Sequence, residues 1–427
     1  MAFPTLDSYR ISKDLSAKLR LVTLLAVTAV VFVHAYNMTS RFGSGENAAE
    51  MRSAPGVAGF IEYLISQALT RWPAALLFAV SGFLFFHNLQ PHWEDYRRKY
   101  AGRLRTVVVP FLLWSGLGLV LYLGLQALPQ SSTYFTHAFL GEVSVAHIVD
   151  KLLLHPVAYP LWFLQTLVVC FALAPLLYWP ARTLRWLTPV AFAVLWILGA
   201  PASNWNDWKG LAFFTLGAVI ALERRRGVRL TPAPAFGKIL FPLWVLACVL
   251  FTVFLRGETT FWAYSLHKAL MCLAVAAVWF GYEAYLKPLE RRRRVTLLLP
   301  FSFFIFVAQE PLLMMLKRLG LHALGSSDAA RLFVYFAASL LTLAIVITAA
   351  AALRRYLPTP YAWLTGGRGG KNVRRAGAPG SVSGSAGGAT GSAGTATASA
   401  ASATPAAPAA GEPAPAAEAA GEPAETT

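Results

Sequence analysis

From Leu19 to Leu353 the chain is a train of long apolar stretches divided by short polar segments, and this pattern limits the fold more than any other feature. A helix needs roughly 20 mostly apolar residues to cross a bilayer. In lipid every backbone N–H and C=O must be satisfied within the protein, so such stretches fold as helices. Ten of them are predicted as spans, at about Leu19–Tyr36, Trp72–Leu89, Thr106–Leu125, Pro160–Trp179, Trp186–Ala200, Trp208–Leu222, Phe236–Leu255, Thr260–Leu286, Val295–Leu316 and Leu332–Leu353. The fifth and sixth are short and flank Pro201 and Asn204–Asp207. Charged residues make up 13% of the chain, about half of what a soluble protein carries. The three cysteines lie in apolar runs without CxxC spacing, which argues against a disulfide framework or thiolate metal site.

The net charge of +17 raises the question of a nucleic-acid partner, and the placement of the cations answers it. With the N-terminus inside and ten alternating spans, 27 of the 37 Lys and Arg residues fall on the inner side. Retained loops of membrane proteins are basic, so these blocks read as orientation signals and as contacts for anionic lipid, not for nucleic acid. The expected fold is therefore all-α: a polytopic membrane helical bundle of about ten transmembrane helices with both termini cytoplasmic. The expected organisation is a cytoplasmic N-terminal segment over 1–18, a membrane domain over 19–355, and a cytoplasmic tail over 366–427. From Ala376 onward that tail holds only Ala, Gly, Ser, Thr, Pro, Glu and Val382, too little apolar material for a core, so disorder is expected there. Two outer segments are also expected. In Asn37–Arg71 the part Val57–Leu69 is apolar enough for a re-entrant or interfacial helix. Gln126–Tyr159 contains His137, Glu142, His147, Asp150 and His155.

Ionisable and polar groups within spans are costly and tend to face the bundle interior. His34 ends the first span, Arg71 opens the second, His267 and Lys268 lie in the outer half of the eighth, and Gln309 and Glu310 in the outer part of the ninth. Because spans alternate in direction, all six fall at similar depth on the outer side. A histidine and a carboxylate at one depth suit a general-base pair; a histidine at a helix end equally suits a bond to an interfacial carbonyl or water. On the inner side Tyr96–Arg105 gathers five cations, a charge that serves either topology or a phosphate-bearing ligand. No Walker, GxSxG, HExxH or GxGxxG motif is present, and His137, His147 and His155 are spaced for no standard metal site.

Five short motifs occur in order along the spans: Val30-Val31-Phe32-Val33-His34-Ala35; Arg71-Trp72-Pro73 with Ser81-Gly82-Phe83-Leu84-Phe85-Phe86; Arg97 to Arg105 followed by Val109-Pro110-Phe111-Leu112-Leu113-Trp114; His155-Pro156 with Tyr159-Pro160-Leu161-Trp162-Phe163-Leu164; and Ser302-Phe303-Phe304-Ile305-Phe306 with Glu310-Pro311-Leu312-Leu313. In this order the chain resembles the acyltransferase-3 family of bacterial integral membrane acyltransferases, often O-acetyltransferases of surface or periplasmic glycans. Three positions depart from the family pattern. Thr23 stands where an arginine is usual, with Arg20 one turn earlier on nearly the same face; Gln309 replaces a later histidine; and Gln165-Thr166 follow the Trp-Phe-Leu motif where close relatives often have Arg-Asp.

The resemblance implies an acyl group, acetyl being expected, moved from cytosolic acyl-CoA to a hydroxyl of an extracytoplasmic glycan or glycolipid, in the bacterial inner membrane. It implies catalytic roles for His34, as base or acyl carrier, with Glu310 or Arg20 tuning it. Arg103, Arg105 and Ser81 are the donor-binding candidates. Arg71, Trp162, His267 and Gln309 are the candidates for binding substrate. No resident cofactor or metal is implied. Two rival readings fit the same spans: a transporter or flippase, whose transport would persist without acyl-CoA, and a non-catalytic acyltransferase-like protein, whose function would survive loss of His34.

Overall fold

The structure is a computed structural model that describes residues 11–36, 56–127, 144–158, 160–202, 207–227, 234–325 and 327–368. Residues 1–10, nearly all of the expected tail, the first half of the 37–71 segment, and His137 and Glu142 lie outside the described residues. Helices carry the described chain, and among the described residues there is no strand.

Helix α1 (Lys13–Ala35) starts where the Ser12 hydroxyl accepts the Leu15 N–H at 3.2 Å, a cap that satisfies one of the orphan donors of a helix start. It is buried on almost every side from Leu19 to Ala35, as expected of an element that is apolar all round. Helix α2 (Gly56–Tyr63) widens into a π-helical turn at Leu64–Leu69, followed by α3 (Pro73–Phe86), which has proline in its first turn. The expected Val57–Leu69 helix is thus present and woven into the bundle. Ser66 Oγ lies 2.6 Å from the Phe32 carbonyl and 2.7 Å from Tyr335 Oη. Next come α4 (Trp93–Arg103), a π-helical turn at Leu104–Val108, and α5 (Val109–Gln126). A short α6 (Val145–Val149) lies in the second outer segment.

Helices α7 (Leu161–Ala172) and α8 (Ala174–Thr183) form one run bent by 70°. After them come α9 (Leu187–Ile197), α10 (Trp208–Arg225), α11 (Pro234–Leu255), α12 (Phe261–Gly281) and α13 (Arg293–Leu298). Helices α14 (Ser302–Ala308) and α15 (Leu312–Leu324) belong to a second bent run, at 72°. The chain closes on α16 (Asp328–Tyr356) and α17 (Pro358–Thr365). The ninth span was expected to be continuous from Val295 to Leu316. Pro311 breaks it, because proline disfavours helical geometry in the residue before it and donates no backbone hydrogen bond.

Each predicted span falls on helix. Six are long and apolar enough to cross a membrane, and the two bent runs raise the number to eight. The other two predicted spans are α9 and α10. The eleven residues of α9 rise only about 16 Å. Helix α10 has charge at both ends, at Lys209 and at Glu223 to Arg225, yet is buried over most of its length. Its side-chain carboxylate Glu223 is tied to Arg226 at 2.6 Å and to Arg185. This helix packs on α3 at backbone contact. A Cβ on Gly82 would land on the carbonyl oxygen of Phe214, and one on Gly217 on that of Ala79. Close approach through small residues is how helices associate in lipid, and it answers what Ser81-Gly82 is near: helix backbone lies against Gly82.

Candidate active site

A cavity of about 330 Å³ opens among α1, α3, α7, α9, α10, α12 and α14. Its wall includes His34, Arg71, Trp162 and His267 of the expected site residues, so four of the polar positions matched by depth or motif do meet laterally. Lys268 joins them, as do Gln67, Thr70, Lys209 and Tyr264, none of which the site reading had included. A depth argument extended to every cation off the basic side would have found Lys209, which opens α10. Gln67 and Thr70 carry no sequence signal, since only the π-helical turn at Leu64–Leu69 turns them to the cavity.

His34 lies in the last turn of α1, where backbone carbonyls lack partners inside the helix. Two other elements supply them. Ser66 donates to the Phe32 carbonyl, and the ammonium of the buried Lys317 donates to the His34 carbonyl at 3.2 Å. A cation at a helix C-terminus also complements the helix dipole. The His34 and Glu310 side chains are 8% and 9% exposed, and Nδ1 stands 3.9 Å from Glu310 Oε1. That separation is ion-pair range and longer than a hydrogen bond; catalytic contacts of this kind often tighten only once substrate binds. The break before α15 delivers Glu310 to this position.

The rest of the wall is locked by hydrogen bonds. His267 Nε2 donates to the Gln67 carbonyl at 2.7 Å, and the imidazole stacks on Phe251 with ring centroids 5.3 Å apart. Gln67 Oε1 accepts from Arg71 Nε at 2.7 Å. Lys209 Nζ sits 4.4 Å over the ring of Trp162, and Lys268 Nζ donates to the Trp196 carbonyl at 2.8 Å.

Other expected site residues lie elsewhere. Gln309 is fully buried and donates to the Phe306 carbonyl at 3.1 Å; it does not line the cavity, because the helix break turns Glu310 and not Gln309 toward His34. Arg20 is exposed and donates to the Ser16 carbonyl. Fourteen residues of helix separate it from His34, about 21 Å, so it does not reach the imidazole. Ser81 is half-buried on α3, beyond Leu77, the last residue of that helix on the wall.

Arg103 and Arg105 belong to a second, basic region at the far end of α3. Arg103 stacks over Phe171 at 5.0 Å and Arg105 is exposed. Lys99 donates to the His87 carbonyl at 2.8 Å, and Arg225 donates to the carbonyls of Leu89 and Phe86 at 2.5 and 3.1 Å. From Leu77, the last wall residue of α3, nine residues lead to its end at Phe86, which sets this region about 14 Å of helix axis from the cavity.

A helical membrane bundle whose cavity is lined by a histidine in contact with a carboxylate defines a class, the multi-pass membrane enzymes. The chain belongs to the acyltransferase domain family, acyltransferase 3, which matches residues 18–351, and is an acyltransferase. It is similar to the succinoglycan biosynthesis protein ExoH of Rhizobium meliloti (strain 1021), at 28% identity over 369 residues covering 84% of this chain and 94% of the relative. No solved structure matches the chain.

Proposed function

We propose that this acyltransferase moves an acyl group, acetyl in the simplest case, from cytosolic acyl-CoA to a hydroxyl of an extracytoplasmic polysaccharide or glycolipid, with His34 as general base. The contact of the cavity-lining His34 with Glu310 behind it carries the reading. The similarity to a succinoglycan biosynthesis protein supports a polysaccharide acceptor.

In this mechanism the acceptor hydroxyl gives its proton to the His34 imidazole as its oxygen attacks the thioester carbonyl. Glu310 stabilises the imidazolium so formed. The Arg71 guanidinium, on the same wall, offers N–H groups to the developing oxyanion. The C–S bond then breaks, and the imidazolium returns the proton to the leaving CoA thiolate. The basic region around Arg103 and Arg105 receives the phosphates of the donor, as arginine does well. Trp162 lines the cavity, and Ser81 lies on α3 between the cavity and that region.

We assign residues 19–355 to the acyltransferase domain, with cytoplasmic segments over 1–18 and 366–427, in a bacterial inner membrane. The cavity then faces outward and the Arg103 region inward, which suits a donor and an acceptor arriving from opposite sides. The experiment supplies membrane-embedded protein with labelled acetyl-CoA and the glycan fraction of its own cell. His34→Ala is expected to slow transfer on the order of 10³-fold. Transfer at the wild-type rate would sink the assignment.

A further inference from the structure

The region matched by the family ends at residue 351, yet the chain folds on past it and returns to the neighbourhood of Arg103. Helix α17 is seated by its own contacts. Trp114 Nε1 of α5 donates to the Leu364 carbonyl at 3.0 Å, and the buried Tyr361 stacks on Phe304 with ring centroids 6.0 Å apart. Gly366 then turns the chain with φ at 62°, a left-handed conformation that glycine adopts without strain. A Cβ there would stand 2.7 Å from Thr106 Cα, so the turn runs against the π-helical turn that precedes α5. The turn delivers Arg368 to the same residue. Arg368 Nη1 donates to the Thr106 carbonyl at 2.6 Å and to the Thr365 carbonyl at 3.2 Å, and its guanidinium lies 4.4 Å over the Phe303 ring. Four residues after Thr106 stands Pro110, which has no N–H to give this carbonyl, and a side chain from outside the helix takes that place.

These contacts do more than latch the end of the chain. They use only Nη1, and among the described residues Nε and Nη2 of Arg368 donate to nothing. Those two nitrogens form an edge that can grip a phosphate in bidentate fashion. Arg103 stands three residues before Thr106, half-buried like Arg368. Burial, and after it the positive charge of Arg103, push the Arg368 guanidinium down to about 10, so it stays charged at neutral pH. Among the described residues no carboxylate acts on either guanidinium. Two partly desolvated like charges raise the energy of the fold unless an anion joins them. We propose that Arg368 and Arg103 form a clamp for a phosphate group of the acyl-CoA donor, so that the segment beyond the family region completes the donor site. The inference rests on the acyl-transfer reading above and deepens it. Phe303 and Thr106 orient Arg368 as Phe171 orients Arg103, so both guanidinium groups are set before the phosphate arrives.

Full-length protein in lipid nanodiscs is assayed with acetyl-CoA and with acetyl-pantetheine, which carries the thioester without phosphates. Arg368→Gln is expected to raise the KM for acetyl-CoA about tenfold and to leave the phosphate-free donor within about twofold. An unchanged KM for acetyl-CoA, or an equal loss with both donors, overturns the clamp. A second measurement uses the wild type and so does not depend on how the variant folds. Phenylglyoxal labels accessible arginines, and mass spectrometry reads Arg103 and Arg368 separately. CoA is expected to suppress labelling of both, and pantetheine of neither. Labelling that CoA leaves unchanged overturns the inference. So does labelling that falls only when anionic lipid replaces zwitterionic lipid in the nanodisc, which assigns the two arginines to a headgroup phosphate. If the protein transfers nothing from any thioester, the acyl-transfer reading fails and the labelling alone decides: suppression by CoA supports the clamp, and none overturns it.

Discussion

His34 Nδ1 lies 3.9 Å from Glu310 Oε1, a contact made because α1 ends at Ala35 beside the break that follows Ala308. His34 is in the last turn of α1 and Glu310 in the break before α15, so the pair depends on its neighbours. Lys317 and Ser66 fix the end of α1. Glu310→Gln keeps the size of the side chain and removes the charge that stabilises the imidazolium. It is expected to lower kcat for acyl transfer on the order of 10²-fold and to leave the KM for acyl-CoA nearly unchanged, since the region proposed for the donor phosphates lies away from it. Steady-state kinetics on reconstituted protein checks this, and a rise in KM with constant kcat would remove Glu310 from the chemistry.

The α3–α10 contact gives a prediction about stability. Gly82 and Gly217 face carbonyl oxygens of the opposing helix, where a side chain has no room. Backbone cannot yield as a flexible side chain can, so Gly82→Val or Gly217→Val is expected to cost at least the 1–3 kcal/mol typical of overpacking. Gly124 in α5 meets nothing within 4 Å, and Gly124→Ala is expected to be neutral or to stabilise by about 1 kcal/mol through helix propensity. Thermal unfolding in detergent, followed by size-exclusion chromatography, separates the two outcomes.

Much of this was legible in the sequence, and for a physical reason. Lipid forces backbone to pair within a segment, so apolar length translates almost directly into helix, and every predicted span fell on one. The grouping of His34, Arg71, His267 and Lys268 was legible too, since all four, expected on one level, line the cavity. Lateral position was not. Gln309 and Glu310 are adjacent in sequence, yet only Glu310 faces His34, because Pro311 breaks the helix between them and α15. Arg20 shares a helix face with the position it was expected to replace, but 21 Å of helix axis, by the rise of about 1.5 Å per residue, outweighs a shared face. The charged ends of α10 obscured the same kind of limit: an element buried by its neighbours need not meet the composition of one that meets lipid.

The outer segment contributes a pH effect. Asp150 Oδ1 and His155 Nδ1 are 2.7 Å apart, and this hydrogen bond, with the charges of His155 and Lys151, holds the Asp150 carboxyl below the usual carboxylate range. A carboxyl whose folded value is depressed binds fewer protons than its unfolded counterpart, so its contribution is present above the ordinary carboxylate value and is lost as pH falls through the depressed one. Acidification from neutrality is therefore expected to loosen residues 144–158, which also lean on α5 through the Ser115 hydroxyl and the Leu152 carbonyl at 2.9 Å. Hydrogen exchange corrected for intrinsic rates would show protection of this segment falling at acid pH in the wild type. Asp150→Asn should show the lower protection already at neutral pH, and identical profiles for the two proteins would remove the interaction from consideration.

Arg103 supplies the last prediction. It is half-buried over Phe171, so its guanidinium plane is oriented, whereas Arg105 two residues on is exposed. An oriented guanidinium presents its N–H fork to phosphate with little further loss of freedom, and a charge-assisted hydrogen bond of that kind is worth about 1.5–3 kcal/mol. Arg103→Ala is therefore expected to raise the KM for acyl-CoA by about 10- to 100-fold. The same substitution should leave acyl-pantetheine, which carries the thioester without phosphates, within about twofold, because loss of one guanidinium costs binding only where it had an anion to bind. Comparing the two donors in one assay distinguishes phosphate recognition from a general disturbance of the α4–α7 packing. If both thioesters lose activity alike, Arg103 supports the fold and the donor phosphates are held by other residues.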